Sequence, residues 1–258
     1  MIFYFSVTGN CKYVADKLAE ATCDTVVSIT ECIKAQNFTF DIEDDERIGF
    51  VTPTYFLGLP IVVINFLEHM NLRLTGKHYV YHVLTYGTTT GQAHSIMSDY
   101  LGEKGLSLDG KFIIRMVDTW TPTFDVSDKE KNKKITDAAE VQIVEVSGNV
   151  QKRSKGDFNN RKLPMISFAF WALTNKKGRR TKKFHIIEDC CIGCGLCAKV
   201  CPLGVIRMQD GRPTWVKSQC ALCLGCLHRC PKFAIQYGKR TKKHGQYINP
   251  NVKLGQIL

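Results

Sequence analysis

Two copies of one cysteine spacing, C-x2-C-x2-C-x3-C followed by proline, constrain this chain more than any other feature. Cys191, Cys194, Cys197 and Cys201 end at Pro202, and Cys220, Cys223, Cys226 and Cys230 end at Pro231. Three closely spaced thiolates wrap one iron-sulfur cubane, while the fourth, displaced by a turn and followed by proline, points toward the other cluster. Crossed ligation is therefore expected: Cys191, Cys194, Cys197 and Cys230 for one 4Fe-4S cluster, and Cys220, Cys223, Cys226 and Cys201 for the second. Gly193, Gly195 and Gly225 fit between the ligands, where the loop must wrap tightly and present N–H groups to sulfur. Zinc is the competing occupant, but it usually takes cysteine pairs across a long spacer. Cys190 lies just outside the repeat; it could replace Cys191, but only Cys191 gives the regular spacing, and Cys190 is read as a spare thiol.

Nine of the twelve cysteines lie between Cys190 and Cys230. Charge divides near the same place. Residues 1 to 150 carry 13 Lys and Arg against 20 Asp and Glu, and residues 151 to 258 carry 22 against 4. A basic half suggests nucleic acid or an anionic membrane surface. Cysteine-ligated clusters are themselves anionic and offset part of the excess, so nucleic acid is discounted as a partner. The first residues, MIFYFSVTGN, lack the basic and long apolar regions of a secretory signal, and a cytoplasmic location is expected. Structural disulfides are rare there, which leaves metal ligation as the reading of the cysteines. The longest apolar stretch, Leu163 to Leu173, is about half the ~20 residues of a membrane-spanning helix and is expected to pack.

The first half alternates strand and helix patterns. Apolar runs at Ile2 to Phe5, Ile48 to Thr52, Tyr79 to Leu84 and Phe112 to Val117 are each followed by residues at helical spacing, with Val26 to Ile29 a weaker extra strand. Alternation of this kind implies a doubly wound parallel sheet in an α/β domain over residues 1–148. Gly148 is expected to cap the last helix. Residues 149–183 read as a basic linker whose apolar part packs between domains, 184–238 as a small α+β cluster domain, and 239–258 as a basic, mobile tail. In the cluster domain a hairpin is expected over Val205 to Val216, turning at Asp210-Gly211, with a last strand at Ala234 to Tyr237.

Three loops follow strands that end on one sheet edge. Ser6-Val7-Thr8-Gly9-Asn10-Cys11 joins the first strand to the first helix, where N–H groups, hydroxyls and a helix N-terminus can surround a phosphate. The others are Pro53-Thr54-Tyr55-Phe56-Leu57-Gly58 and Thr85-Tyr86-Gly87-Thr88-Thr89-Thr90-Gly91.

The cysteine repeats resemble those of bacterial two-cluster ferredoxins over about residues 184–238. The first loop resembles the flavodoxin phosphate loop, S/T-x-T-G-N-T, with Cys11 in place of the usual threonine. That change removes one hydroxyl and is expected to weaken phosphate binding. Together the halves resemble the flavodoxin and ferredoxin fusion proteins of anaerobic bacteria. The resemblance implies a five-stranded sheet in the order 2-1-3-4-5, FMN across its edge and two 4Fe-4S clusters. Tyr55 or Phe56 and Tyr86 are then the candidates to flank the flavin ring, and Gly58 is the place where the backbone could adjust to flavin protonation. Trp120 is read as packing and left out of the site.

The function so implied is low-potential electron transfer between the clusters, FMN and a partner redox protein, with an acidic partner suiting the basic half. A different class, an FMN-dependent reductase of a small organic substrate, would draw acid-base groups from His82, His94 or Asp118. A third, a redox sensor binding nucleic acid through Lys176 to Lys183 and Lys239 to Lys243, lacks a recognisable nucleic-acid-binding signature.

Overall fold

The structure is a computed structural model that describes residues 1–253 and residue 255. In the first half, strands β1 (Ile2–Tyr4), β2 (Val26–Ser28), β3 (Thr39–Ile42), β4 (Arg47–Pro53), β5 (Asn71–Leu74), β6 (Tyr79–Tyr86), β7 (Gly110–Arg115) and β8 (Gly156–Asp157) alternate with five helices. These are α1 (Asn10–Thr22), α2 (Ile29–Ala35), α3 (Ile61–His69), α4 (Ala93–Gly102) and α5 (Lys129–Gln151). One sheet runs in the order β2-β1-β4-β6-β7-β8 with every pair parallel. Its first five members reproduce the 2-1-3-4-5 order expected of a flavodoxin-like sheet. The sixth, two-residue β8, comes from the segment read as linker. It is held because Gly156 N–H donates to Asp109 O (2.8 Å), Phe158 N–H donates to Lys111 O (2.9 Å), and the Phe158 ring stacks on Phe112. β3 and β5 form a separate parallel pair.

The sheet is covered on both faces, which is what its near-continuous apolar strands require. All eight residues of β6 are buried. One core gathers Phe3, Phe50 and Phe66 under α3 and α4, with the Phe3 ring centroid 5.5 Å from that of Phe50 and 5.4 Å from that of Phe66. The other packs Val14, Leu18 and Tyr81 with Ile143 and Val146 of α5. α5 starts at Asp128, whose side chain accepts from Lys131 N–H (2.9 Å). It runs through Gly148 to Gln151, so Gly148 is not its cap; Lys152 closes the helix.

The second half comprises α6 (Ile166–Leu173), β9 (Phe184–Ile186), α7 (Leu196–Lys199), β10 (Ile206–Gln209), β11 (Arg212–Trp215), α8 (Gly225–His228), β12 (Ile235–Tyr237) and α9 (Thr241–His244). β10 and β11 form the expected hairpin, turning where Asp210 and Gly211 take positive φ. β12 pairs antiparallel with β9. The apolar linker segment forms α6, but only one of its large side chains is buried. Trp171 seats its indole against Gly58 and donates Nε1–H to Leu59 O (3.0 Å). Ile166, Phe170 and Leu173 stay exposed. A larger departure concerns the last segment, expected to be mobile. Thr241, Tyr247, Asn249 and Val252 are buried, and the segment is hydrogen-bonded to both halves.

Candidate functional site

The three loops at the carboxyl ends of β1, β4 and β6 enclose a cavity of about 350 Å³, within the ~300–1,000 Å³ usual for small-molecule sites. Of the residues expected to meet a flavin, Ser6, Val7, Thr8, Asn10, Cys11, Pro53, Thr54, Tyr55, Phe56, Thr85, Tyr86 and Gly87 line it. Gly9, Gly58 and Gly91 do not. Gly9 instead sits at the N-cap of α1 with φ 95°, a conformation that glycine adopts without steric cost. A Cβ on Gly58 would collide with the Trp171 indole, and the positive φ values of that loop fall on Phe56 (51°) and Leu57 (69°).

The cavity's chemistry suits a flavin nucleotide. Thr54 lines it, and its buried Oγ1 has no hydrogen-bond partner among the described residues, so an unused polar atom lies in the wall. Tyr55, Phe56, Tyr86 and Trp120 supply aromatic surface. Cys11 is buried and engages Thr85 Oγ1 (3.1 Å); burial pushes its thiol up to about 12, so it faces the cavity as a neutral SH.

Sequence reasoning missed much of the far wall. Trp120 lines the cavity and also meets Phe56 edge-on (5.3 Å) and Tyr237 (5.8 Å). Phe170 of α6 contributes as well, and so do Leu222, Cys223 and Leu224 of the second cysteine repeat. Nothing local in the sequence announces this; it follows from packing one half on the other. Of the acid-base candidates, Asp118 lines the cavity. Burial raises its carboxyl above the usual range, and its Oδ1 accepts from Trp120 N–H (3.1 Å). His82 and His94 lie outside the cavity and form a buried pair (Nδ1 to Nδ1 3.1 Å), with His82 Nε2 on Thr52 Oγ1 (2.8 Å).

The cysteines gather in two groups. Cys191, Cys194, Cys197 and Cys230 line one small cavity, and Cys201, Cys220, Cys223 and Cys226 line another. Among the described residues no three His, Cys, Asp or Glu side chains are placed to hold a single metal ion. Backbone N–H groups of Val205, Leu222 and Ala234 point at the sulfurs of Cys201, Cys220 and Cys230 (3.2–3.3 Å), a pattern that favours thiolate and tunes a bound cluster. Burial pushes the thiols of Cys197 and Cys220 up to about 11 and that of Cys223 up to about 12. Cys190 is exposed and lines neither cavity. Gly193 and Gly195 have φ of 67° and 73°, as a tight wrap requires. The backbone of Gly225 hydrogen-bonds the Cys223 sulfur, as expected of a wrapping residue, and a Cβ there would lie 3.3 Å from Val7, so glycine also lets the cluster helix approach the Ser6 to Cys11 loop.

Comparison with known proteins accords with this layout. Residues 1–143 match the flavodoxin domain family and residues 190–235 the 4Fe-4S dicluster domain. The first match spans more than half of the chain, which therefore belongs to the flavodoxin domain family. With the dicluster domain it is a flavo-iron-sulfur protein whose cofactors are FMN and two 4Fe-4S clusters. An uncharacterized ferredoxin of Methanocaldococcus jannaschii is 41% identical over 56 residues, covering 20% of this chain and 31% of that protein. A component of the ion-translocating oxidoreductase complex of Methanosarcina acetivorans is 35% identical over 63 residues, covering 24% of this chain and 23% of that protein. The chain thus spans between a fifth and a third of the length of these relatives. Among solved structures, Fusobacterium nucleatum flavodoxin bound to flavin mononucleotide covers 60% of this chain and 97% of its own, at 16% identity and a TM-score of 0.36. Streptococcus pneumoniae TIGR4 flavodoxin covers 56% and 97%, at 19% identity and a TM-score of 0.33. Among the described residues no helix is long and apolar enough to cross a membrane.

Proposed function

We propose that the chain carries electrons along a linear path from an outer cluster, held by Cys191, Cys194, Cys197 and Cys230, to an inner cluster, held by Cys220, Cys223, Cys226 and Cys201, and to FMN, or in the reverse direction. One observation carries this reading: Leu222, Cys223 and Leu224 form part of the flavin cavity wall. The inner thiolates are thereby next to the flavin, whereas Cys194 of the outer set is exposed. The grouping of the eight thiols around two cavities supports the crossed ligand sets. FMN, when bound, accepts one or two electrons with protons and so joins one-electron to two-electron chemistry. The protein's part is to hold the phosphate at Ser6 to Cys11 and the ring between Tyr55, Phe56, Tyr86 and Trp120, and to keep bulk water from the inner cluster.

The outer cluster is the docking end for a redox partner. The likeness to a component of an oxidoreductase complex supports such a partner, and the 22 Lys and Arg against 4 Asp and Glu of residues 151–258 suit an acidic one. The functional bodies we assign are 1–148 for flavin and 184–238 for the clusters, joined by 149–183 and by the segment after 239. Asp118 favours a second reading, a flavin-dependent reductase, because it places a carboxyl group of raised pKa inside the cavity. Anaerobically purified protein should contain about eight iron atoms and one FMN per chain. Full iron with no flavin, even after FMN is added, would sink the path. Oxidation of the reduced flavin by an added small molecule, without any partner protein, would favour the reductase.

A further inference from the structure

The phosphate loop is held by a part of the chain more than two hundred residues away. Asn249 N–H donates to Thr8 O (2.7 Å), and Asn249 Nδ2 donates to Asn10 Oδ1 (3.1 Å). Tyr247 O–H donates to the same Asn10 Oδ1 (3.2 Å), while Asn10 Nδ2 donates to Val117 O (3.2 Å). Asn249 is fully buried and Tyr247 nearly so. The strap is fixed on its other side to α8. Tyr247 N–H donates to His228 Nδ1 (3.2 Å), and His228 Nε2 donates to Thr119 O (2.9 Å). Gln246 Nε2 reaches Leu227 O and Cys230 O.

These bonds share one chemical direction. A loop that cradles an anion must turn N–H and O–H groups inward and find other partners for its acceptor oxygens. Here Thr8 O and Asn10 Oδ1 are the acceptors, and every strap bond to them is a donor. Cys11 removes one hydroxyl from the loop, and its sulfur is already engaged by Thr85. Correct placement of the remaining donors therefore matters more than in a loop with threonine there.

We propose that Tyr247 and Asn249 are positioning residues for the FMN phosphate, holding loop acceptors away from it so that loop donors face it. The proposal rests on the flavin reading above. It also ties flavin retention to α8, which carries Cys226.

The test uses the full chain with clusters intact and flavin removed, titrated with FMN and, separately, with riboflavin, which lacks the phosphate. Flavin fluorescence reports binding, and iron content reports the clusters. Asn249→Ala is expected to weaken FMN about tenfold and Tyr247→Phe severalfold, on the scale of a buried hydrogen bond. Riboflavin affinity and iron content should stay within about twofold of the parent in both. FMN affinity unchanged in both variants overturns the proposal, and so does a parallel loss of FMN and riboflavin, which marks a merely structural strap. If Asn249→Ala loses its iron, Tyr247→Phe, which keeps the ring and removes only the hydroxyl, decides alone. A parent protein that binds neither flavin fails the flavin reading itself, a result distinct from a failure of the strap.

Discussion

The two cysteine loops share a spacing and a backbone path but differ in what surrounds them. In Cys191–Cys197 the positive-φ positions are Gly193 and Gly195, with Cys194 exposed and Ile192 60% exposed. In Cys220–Cys226 the same two positions hold Leu222 (φ 49°) and Leu224 (φ 56°), which are 3% and 1% exposed. Forcing a side chain into the left-handed region costs about 1–2 kcal/mol, whereas burying a leucine returns about 1.5–3 kcal/mol. Burial offsets strain only where there is something to bury against. Leu222 and Leu224 pack into the core of the cluster half with Leu227, Ile235, Phe56 and Trp120, whereas Ile192 and Cys194 of the first loop face solvent. The spacing therefore follows the cluster, and the residues between ligands follow the neighbours.

The largest expected effect separates the loops by electron flow. Cys194→Ser and Cys223→Ser should each lower iron from about eight atoms toward four. If the second loop alone adjoins the flavin, Cys194→Ser keeps rapid exchange between the remaining cluster and FMN, while Cys223→Ser slows it by orders of magnitude. Rapid mixing, followed at the flavin absorbance, reads the difference. Equal slowing in both variants would erase the distinction between inner and outer clusters.

The sequence shows this asymmetry only in part. Strand order, cluster spacing and the three loops that line the cavity are legible because each depends on local pattern: apolar runs, glycines at turns, cysteines at fixed intervals. Trp120, Phe170 and Leu222 to Leu224 are not legible as cavity wall, because their role comes from the docking of one half on the other. The strap is hidden for a related reason. Lys239 to Lys243 suggest a solvated tail, yet Thr241, Tyr247 and Asn249 among and after them offset the cost of ordering with buried hydrogen bonds that no local pattern encodes. Gly225 reads in the sequence as a third wrapping glycine and does hydrogen-bond the Cys223 sulfur, but its close approach to Val7 is visible only in the fold.

A second test sets strain against burial inside the inner loop. Leu224→Ala keeps the left-handed backbone and removes packed atoms, for a loss of about 2–4 kcal/mol. Leu224→Gly removes more atoms but relieves the strain, recovering about 1 kcal/mol. Glycine should thus be the milder substitution here, opposite to its effect in a helix. Denaturant unfolding of the cluster-loaded protein measures both, and alanine proving milder would show that backbone strain is small at this position.

Acid should act on the flavin half through the buried pair His82 and His94. Burial lowers the pKa of His94 to about 3 and that of His82 well below the usual 6.5, and the cation of Lys111 adds to both shifts. The unfolded chain therefore takes up these protons first. The contribution to stability is complete above about pH 6.5 and is lost as the pH falls from there through the folded values. His94→Gln should flatten the acid limb of a stability profile followed by flavin fluorescence. An unchanged limb would move the acid sensitivity elsewhere.

The smallest effect lies in the outer loop and tests whether its glycines are there for conformation alone. At Gly195 an added Cβ meets only Met208 Cγ, at 3.8 Å, so Gly195→Ala should cost about 1 kcal/mol from φ alone. At Gly193 the Cβ would lie 2.8 Å from the backbone oxygen of Gly211, and the hairpin must shift as well, so Gly193→Ala should cost more. Both changes should leave FMN binding alone, because neither residue lines the flavin cavity. Loss of flavin from either variant would mean that the outer loop, despite its exposure, is coupled to the cavity as tightly as the inner one.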